Sequence, residues 1–420
     1  MDVDTAHTGH PSVFQAGLPT LSYERVENSH EGYRLLREAQ QRAPIALGPH
    51  GPEALSYELA RFVLRDERFV SPRGLGLDAQ GITSGPLWER SAKYIVSLDG
   101  AEHIRLRRLV AKAFTPRSVE RLRDLINEII TGLVEPVSSI GVCDVVADIA
   151  RGFPTPVICA YFGAPKEDWH FFSAWADDLE KIFGWNVAND GPAILAAWEN
   201  LDAYVDAMVT RRRENLTDDL LSDLIRAEDE GDRLTRDELL MLAAALLTAG
   251  TDTTRHQLAA AVGALLEHPD QWTLLAEHPE LAPKAVEEAM RHSPIVMGIV
   301  RRAVDDVGLA GVVIPAGTTV IANVTAANRD PAVFENPDTL DITREGAPAA
   351  LTFGGGAHYC LGTHLARLEL AEALTVMAHR LPNLRLAAPV QWRPRMVGIS
   401  GPTSVPIAFD TAVNAAAASV

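Results

Sequence analysis

Residues 235–268 carry apolar side chains at three- and four-residue spacing without an interrupting proline, and Pro269 ends the pattern. Thr235 and Glu238 stand three apart, the arrangement of a capping box at a helix start. Roughly 33 residues at ~1.5 Å per residue make a rod ~50 Å long, enough to cross a whole domain. A chain organised around such a rod is predominantly helical. Its middle is chemically odd. After the apolar run 239–247 come Thr248, Ala249, Gly250, Thr251, Asp252, Thr253 and Thr254, which put glycine, a carboxylate and successive hydroxyls where a core helix prefers Leu or Ala. Taken alone, such a segment reads as a kink or a close helix–helix contact.

Further helical patterns cover 32–43, 101–113, 118–131, 192–213, 282–291 and 362–380. Short β-prone pieces, Val312–Ile314, Thr319–Asn323 and 405–409, sit among turn residues. The expected class is mainly α with small β-sheets. The uncharged stretch 307–328 has the length of a membrane span, but Gly308, Gly311, Pro315, Gly317, Asn323 and Asn328 break it into strands and turns. No internal repeat and no Gly/Ser- or Pro-rich linker divides the chain. The expectation is a single domain over 1–420, with an N-terminal arm over 1–17 and a small-residue tail over 411–420 that frays.

Lys and Arg total 38 against 56 Asp and Glu, a net charge of −18 that repels nucleic-acid phosphates and anionic lipid. No nucleic-acid partner is expected. Cys143, Cys159 and Cys360 include no CxxC spacing, which argues against a disulfide framework and fits a reducing compartment. Residues 1–17 hold no apolar run suited to a signal or a membrane anchor, so a cytoplasmic protein is expected.

One cysteine sits in a distinctive place. Phe353, Gly354, Gly355, Gly356, Ala357, His358, Tyr359, Cys360, Leu361 and Gly362 form a glycine-rich loop that runs into a helical pattern with Ala366, Arg367 and Glu369. A helix N-terminus favours negative charge and the glycines let backbone N–H groups approach sulfur, so the position suits a thiolate. The alternatives are an inert buried cysteine, or a zinc site from His358, Cys360 and His364, which lacks a second cysteine at ligand spacing.

The loop resembles the heme-thiolate signature of the cytochrome P450 family, Phe-x-x-Gly-x-x-x-Cys-x-Gly, matched at Phe353, Gly356, Cys360 and Gly362. Upstream, 249–254 is similar to that family's oxygen-activating segment, and Glu288 with Arg291 resembles its Glu-x-x-Arg pair. In isolation a pair three apart is a surface ion pair. The resemblance instead implies a buried pair joined by Arg344. The segment 99–107 is similar to the family's C-helix motif, with His103 and Arg107 on one helix face. With Arg301 and His358, they are implied to hold the heme propionates. Arg302 beside Arg301 leaves open which one faces inward, and His103 with Arg107 alone also reads as a solvated charged face.

The resemblance, to the bacterial class I type, implies a long central helix over heme b (iron protoporphyrin IX). It implies Cys360 thiolate as the iron ligand, Thr253 and Asp252 as the catalytic residues that handle protons for O2 activation, and Ala249 and Gly250 as the small surface beside the iron. The implied activity is hydroxylation or epoxidation of a hydrophobic small molecule that is lipid, terpenoid, steroid or polyketide-like. No Gly-x-Gly-x-x-Gly opens a strand–helix unit, so electrons are expected from outside, and the resemblance implies a ferredoxin and an NAD(P)H-dependent ferredoxin reductase as their source. Arg105, Arg107, Arg108, Lys112, Arg117, Arg121 and Arg123 against Glu120 form either a basic patch for an acidic ferredoxin or a merely solvated face. By the same resemblance the substrate pocket draws on 73–96, 182–185, 245–249, then Ile295, Val296, Met297, Ile299, and Ile399 with Ser400. The rivals are a peroxide-driven or C–C coupling enzyme on this fold, a heme sensor without turnover, and a cofactor-free helical binding protein.

Overall fold

The computed structural model describes residues 9–26, 29–184, 186–229, 234–393 and 398–411. The expected arm over 1–17 is therefore described from Gly9 onward. The expected tail beyond Thr411, and Trp185 of the expected pocket, lie outside the described residues.

Helices dominate. Those that frame the site are α1 (Gly100–Ala111), α2 (Arg123–Ser138), α3 (Trp169–Leu179), α4 (Val187–Glu214), α5 (Arg236–Ala249), α6 (Asp252–Glu267), α7 (Ala282–His292) and α8 (Thr363–Arg380). α5 begins on the expected capping box: the Thr235 hydroxyl accepts from the Glu238 N–H, and the Glu238 carboxylate accepts from the Thr235 N–H. α8 packs on α2, α6 and α7, which fixes the direction in which its N-terminal loop faces.

The rod expected over 235–268 is instead two helices, interrupted at Gly250 and Thr251. Two physical causes coincide there. A Cβ on Gly250 would lie 2.7 Å from Cγ1 of Ile158, so only glycine permits the close approach. Thr248, Thr251 and Thr253 also donate their hydroxyls to the carbonyls of Ala244, Leu247 and Ala249, each at 2.9 Å, a back-bonding that bends helices.

The largest sheet has six strands: β1 (Ile45–Gly48), β2 (Gly51–Ala54), β3 (Phe69–Val70), β4 (Val296–Ala303), β5 (Thr319–Asn323) and β6 (Gly398–Ile399). They run in the order β1-β2-β5-β4-β6, with β3 also paired to β4. β2 and β5 are parallel, and β4 lies antiparallel to β5 with Arg301 opposite Val320. The expected strands Val312–Ile314 and Thr319–Asn323 have those bounds, and Pro406–Ala408 falls within the expected 405–409. Within 307–328 the sequence missed one helical turn, Val324–Ala327, which the Asn323 side chain caps by accepting from the Ala326 N–H. Among the described residues, no helix is long and apolar enough to cross a membrane.

Apolar side chains gather in a large cluster among the helices, including Ile126, Phe153, Phe162 and Leu201, and a smaller one on the sheet, including Phe69, Val320 and Phe334. Each such burial is worth about 1.5–3 kcal/mol before chain entropy is counted. Residues of both clusters meet around one cavity.

Candidate active site

The cavity has a volume of about 420 Å3, within the range of small-molecule sites, and its lining comes from α1, α5, α6, β4, α8 and the loop before α8. Cys360 opens onto it. The loop that presents the sulfur is tightly specified. Cys360 N–H donates to Phe353 O at 2.9 Å, and Thr363 Oγ1 donates to Cys360 O at 2.7 Å. Gly356 has φ +66° and packs so closely that a Cβ would lie 2.5 Å from Leu64 O, which is why this signature position is glycine. Phe353 and Gly362 line the cavity, whereas Gly356 stands behind it. Arg107 donates to Tyr359 O and so ties α1 to the loop.

Burial pushes the Cys360 thiol above its usual pKa, against the Gly362 amide, the Thr363 hydroxyl and the charges of Arg107 and Arg367, which pull it down. A cation bound at the sulfur would favour the thiolate, as it does for metal-bound thiols generally.

Four basic side chains converge nearby. Arg301 is 5% exposed and donates to Val300 O at 2.9 Å; burial lowers its pKa to about 10, although Asp99 pulls it upward. His103 is buried, and its Nδ1 has no partner among the described residues. Burial, with the charges of His358 and Arg107, lowers its pKa to about 4. The His103 and His358 rings stack with centroids 4.1 Å apart. His358 Nε2 lies 2.9 Å from Asp99 Oδ1, and Asp99 also accepts from the Ser71 N–H at 2.7 Å. Arg302 turns away to pair with Asp78, which settles which of the two arginines faces inward. His103, Arg107, Arg301 and His358 all line the cavity, set against Asp99 as their carboxylate. This is a site short of negative charge. The propionates of heme would supply it, and the orphaned His103 nitrogen marks one place for an acceptor, so the residues fit that group.

Ala249, Gly250 and Thr253 line the cavity opposite the loop. Asp252 does not. Its Oδ1 lies 2.7 Å from Arg255 Nη2, close but too poorly aligned for a hydrogen bond. Arg255 also holds Asp177 of α3 at 2.8 Å, and Asp177 pairs with the half-exposed Arg151 at 2.7 Å. Burial raises Asp252 to about 7, with Arg255 opposing. The carboxyl therefore faces an ionic cluster that reaches the surface. Glu369, which belongs to none of the recognised motifs, also lines the cavity; it is 1% exposed, with Oε1 unpartnered among the described residues. Burial raises its pKa well above the usual value, against a hydrogen bond with Thr254. The available signal was a lone acid within the otherwise apolar face of α8.

Of the expected substrate contacts, Ile295, Val296 and Ile299 line the cavity. Met297 does not: it belongs to a separate cluster with Leu21, Leu36 and Ala326. Ile399 also falls outside the lining and instead pairs with Val296 as part of β6. Tyr94, Ile95 and Val96 represent the 73–96 segment, and Ala245, Leu246 and Ala249 the 245–249 segment, while nothing from 182–184 and not Ser400 takes part. The sequence missed Phe114, Ile158 and Gln257. Gln257 shapes this wall, since its amide donates to Ser293 O at 3.1 Å and accepts from the Ile295 N–H at 3.3 Å.

Arg291 donates to both oxygens of the buried Glu288 at 2.8 Å, and Arg344 joins through Nε at 3.1 and 3.2 Å.

Sulfur on a glycine-rich loop, across a cavity from a helix and beside basic groups that share the carboxylate of Asp99, fits a heme-thiolate protein. The match of residues 55–382 to the cytochrome P450 family model places the chain in that family. Luteothin monooxygenase of Streptomyces thioluteus is 37% identical over 413 residues, covering 97% of this chain and 99% of that protein. Mycinamicin IV hydroxylase/epoxidase of Micromonospora griseorubida is 39% identical over 383 residues, 89% and 94% of the two chains. The solved structure of epothilone D-bound cytochrome P450epoK aligns with a TM-score of 0.86 at 27% identity, covering 93% of this chain and 99% of that one. The protein is thus a P450 monooxygenase of the bacterial type, with heme b as cofactor.

Proposed function

We propose that this chain, acting as one unit over 1–420, hydroxylates or epoxidises a hydrophobic small molecule, with Cys360 as the iron's thiolate ligand. His103, Arg107, Arg301 and His358 hold the propionates. Phe353, Gly356 and Gly362 shape the loop, and Glu288, Arg291 and Arg344 brace the chain behind it. The observation that carries this reading is the set of basic side chains, short of anions, on the same cavity as the sulfur. Bound heme supplies dioxygen activation, and thiolate ligation favours O–O cleavage.

The chain's own part is binding and proton handling. Thr253 presents its hydroxyl at the cavity wall, where exchanging its bond to Ala249 O frees it for water or substrate. Asp252, protonated up to about pH 7, returns protons from the Arg255–Asp177 side. Ala249 and Gly250 leave room over the iron. Ile158, Leu246, Ile295, Val296 and Ile299 exclude water and favour an apolar substrate. Relatives named for luteothin and mycinamicin IV support a substrate of secondary-metabolite type.

Electrons arrive from a ferredoxin, reduced by an NAD(P)H-dependent reductase in the cytoplasm. The supporting surface is narrower than the sequence suggests. Arg105 pairs with Glu238, and Arg123 with Glu120 and Glu372. Arg108, Lys112 and Arg117 are exposed without an ion pair among the described residues, beside the exposed Ile104 and Tyr359. An acidic partner fits this patch through charge that salt screens.

The reduced CO complex of the purified protein tests the reading. A red-shifted Soret band of thiolate ligation is expected, and Cys360→Ser abolishes it; failure to bind heme after reconstitution overturns the assignment. Thr253→Ala should keep that band while product formed per NAD(P)H drops roughly tenfold and peroxide rises. Unchanged coupling removes the role given to Thr253.

A further inference from the structure

Between the end of α7 at His292 and the start of β4 at Val296 lies a connector of three residues, Ser293, Pro294 and Ile295, all of them buried. Connectors ordinarily run over the surface, because a buried one must find partners for its backbone away from water. Here the Ser293 N–H donates to Ala289 O, and Ile295 O accepts from the Ser400 N–H, both at 2.8 Å. Pro294 has no N–H to satisfy. The Ser293 carbonyl and the Ile295 N–H both go to a single side chain, the amide of Gln257 on α6.

Gln257 is 4% exposed and follows Thr253 by four residues, one turn along the same helix face. Thr253, Gln257 and Ile295 all line the active-site cavity. The ends of the connector are fixed without the glutamine. Arg329 grips His292 O at 2.6 and 3.1 Å, and Val296 pairs with Ile399. Between those anchors, the spacing from α6 to Ile295 is set by the length of this one side chain. Both ends of its amide are engaged, which fixes the orientation, because a flipped amide would set donor against donor and acceptor against acceptor.

We propose that Gln257 is a positioning residue for substrate selectivity: its amide takes the place of a neighbouring strand, holds the Ile295 wall at a set distance from the Thr253 turn, and so determines how broad a ligand the cavity accepts. The proposal rests on the reading of this cavity as the heme and substrate site. An apolar residue in place of Gln257 strands a carbonyl and an N–H away from water. They regain partners only if the connector moves, and Ile295 moves with it.

The test is spectral titration of the heme-loaded protein with two azoles that ligate heme iron, imidazole and the bulkier 4-phenylimidazole, whose Kd ratio reports the wall. Gln257→Leu should weaken 4-phenylimidazole about tenfold while imidazole stays within about twofold. Gln257→Glu keeps the reach, and a buried neutral carboxyl offers an O–H to Ser293 O and a C=O to the Ile295 N–H. It should return the ratio to within about threefold of wild type. Ile295→Ala should shift the ratio by itself, and Gln257→Leu on that background should add less than about twofold, because the glutamine acts through Ile295. Additive effects overturn the proposal, since Gln257 would then touch the ligand itself. So does equal weakening of both azoles, which leaves a merely structural residue, and so does an Ile295→Ala ratio equal to wild type. The reduced CO band certifies that each variant is intact, and Gln257→Met, which keeps the length without the amide, replaces Gln257→Leu if that variant does not load heme. A wild-type protein that gives no azole spectrum overturns the reading of the cavity, and the proposal with it.

Discussion

Two groups of charge, one around Glu288 and one around Arg301, are built on opposite plans. Around Glu288 the protein completes the electrostatics itself. Two arginines share one carboxylate, and the remaining guanidinium hydrogens of Arg291 go to the carbonyls of Asn328, Pro337 and Thr339. The Asp341 N–H takes a further lone pair of Glu288 at 2.9 Å. Around Arg301, among the described residues, one carboxylate, Asp99, faces four basic side chains, and a ring nitrogen of His103 is left bare. A finished cluster is architecture. An unfinished one is a binding site, because the missing charge must come from a ligand.

Removing a partner should therefore have opposite consequences in the two places. Glu288→Gln strands Arg291 in a buried site and should cost about 3–5 kcal/mol, read as a shift of the denaturant midpoint at constant slope. A loss below about 1 kcal/mol would mean that the carbonyls alone satisfy the arginine. Glu53 offers an intermediate case, a fully buried carboxyl held by the neutral donors Tyr23 and Asn323, both at 2.7 Å. Burial raises its pKa to about 7 against those two hydrogen bonds. The folded state thus binds the extra proton, so this stability is fully present below the ordinary carboxylate pKa and is lost as pH rises through about 7. Glu53→Gln should remove about 3 kcal/mol of that pH dependence, and an unaltered slope in urea titrations at pH 4.5 and 7.5 would show the carboxyl to be solvated. Arg301→Leu should have the smallest effect on stability and the reverse sign. It raises the stability of the heme-free protein by about 1–3 kcal/mol while heme transfer to apomyoglobin quickens on the order of tenfold. Destabilisation as large as that of Glu288→Gln would erase the distinction.

What the sequence revealed was local chemistry. Thr235 and Glu238 announce their cap because both halves of the motif lie within four residues. Val312–Ile314 is legible to the residue because Gly311 and Pro315 bracket it, and Thr319–Asn323 because its β-branched run follows the turn at Gly317. The sulfur loop, the basic partners and the Glu288 cluster follow from signatures with fixed spacing. The rest depends on contacts distant in sequence. The break at Gly250–Thr251 is decided partly by Ile158, and Met297 leaves the pocket because it packs with residues of the N-terminal hundred. Asp252 turns from the cavity toward Arg255, three residues on in its own helix, but the Asp177 of α3 that holds this arginine in place is announced by no local spacing. Seven basic residues looked like one patch, yet Arg105 and Arg123 are drawn off by Glu238 and Glu372, which come from helices far along the chain.

The bond from Arg107 to Tyr359 O spans 252 residues, and that span sets a schedule for biosynthesis. A ribosome adding roughly 5–20 residues per second needs about 13–50 s to get from one partner to the other. Throughout that interval the emerging chain already displays the basic residues of α1 but lacks Cys360 and its loop. Cofactor capture is therefore a late event in this protein's synthesis. A truncated transcript that ends before the loop should yield a chain that gathers no heme, however well its first helices have formed.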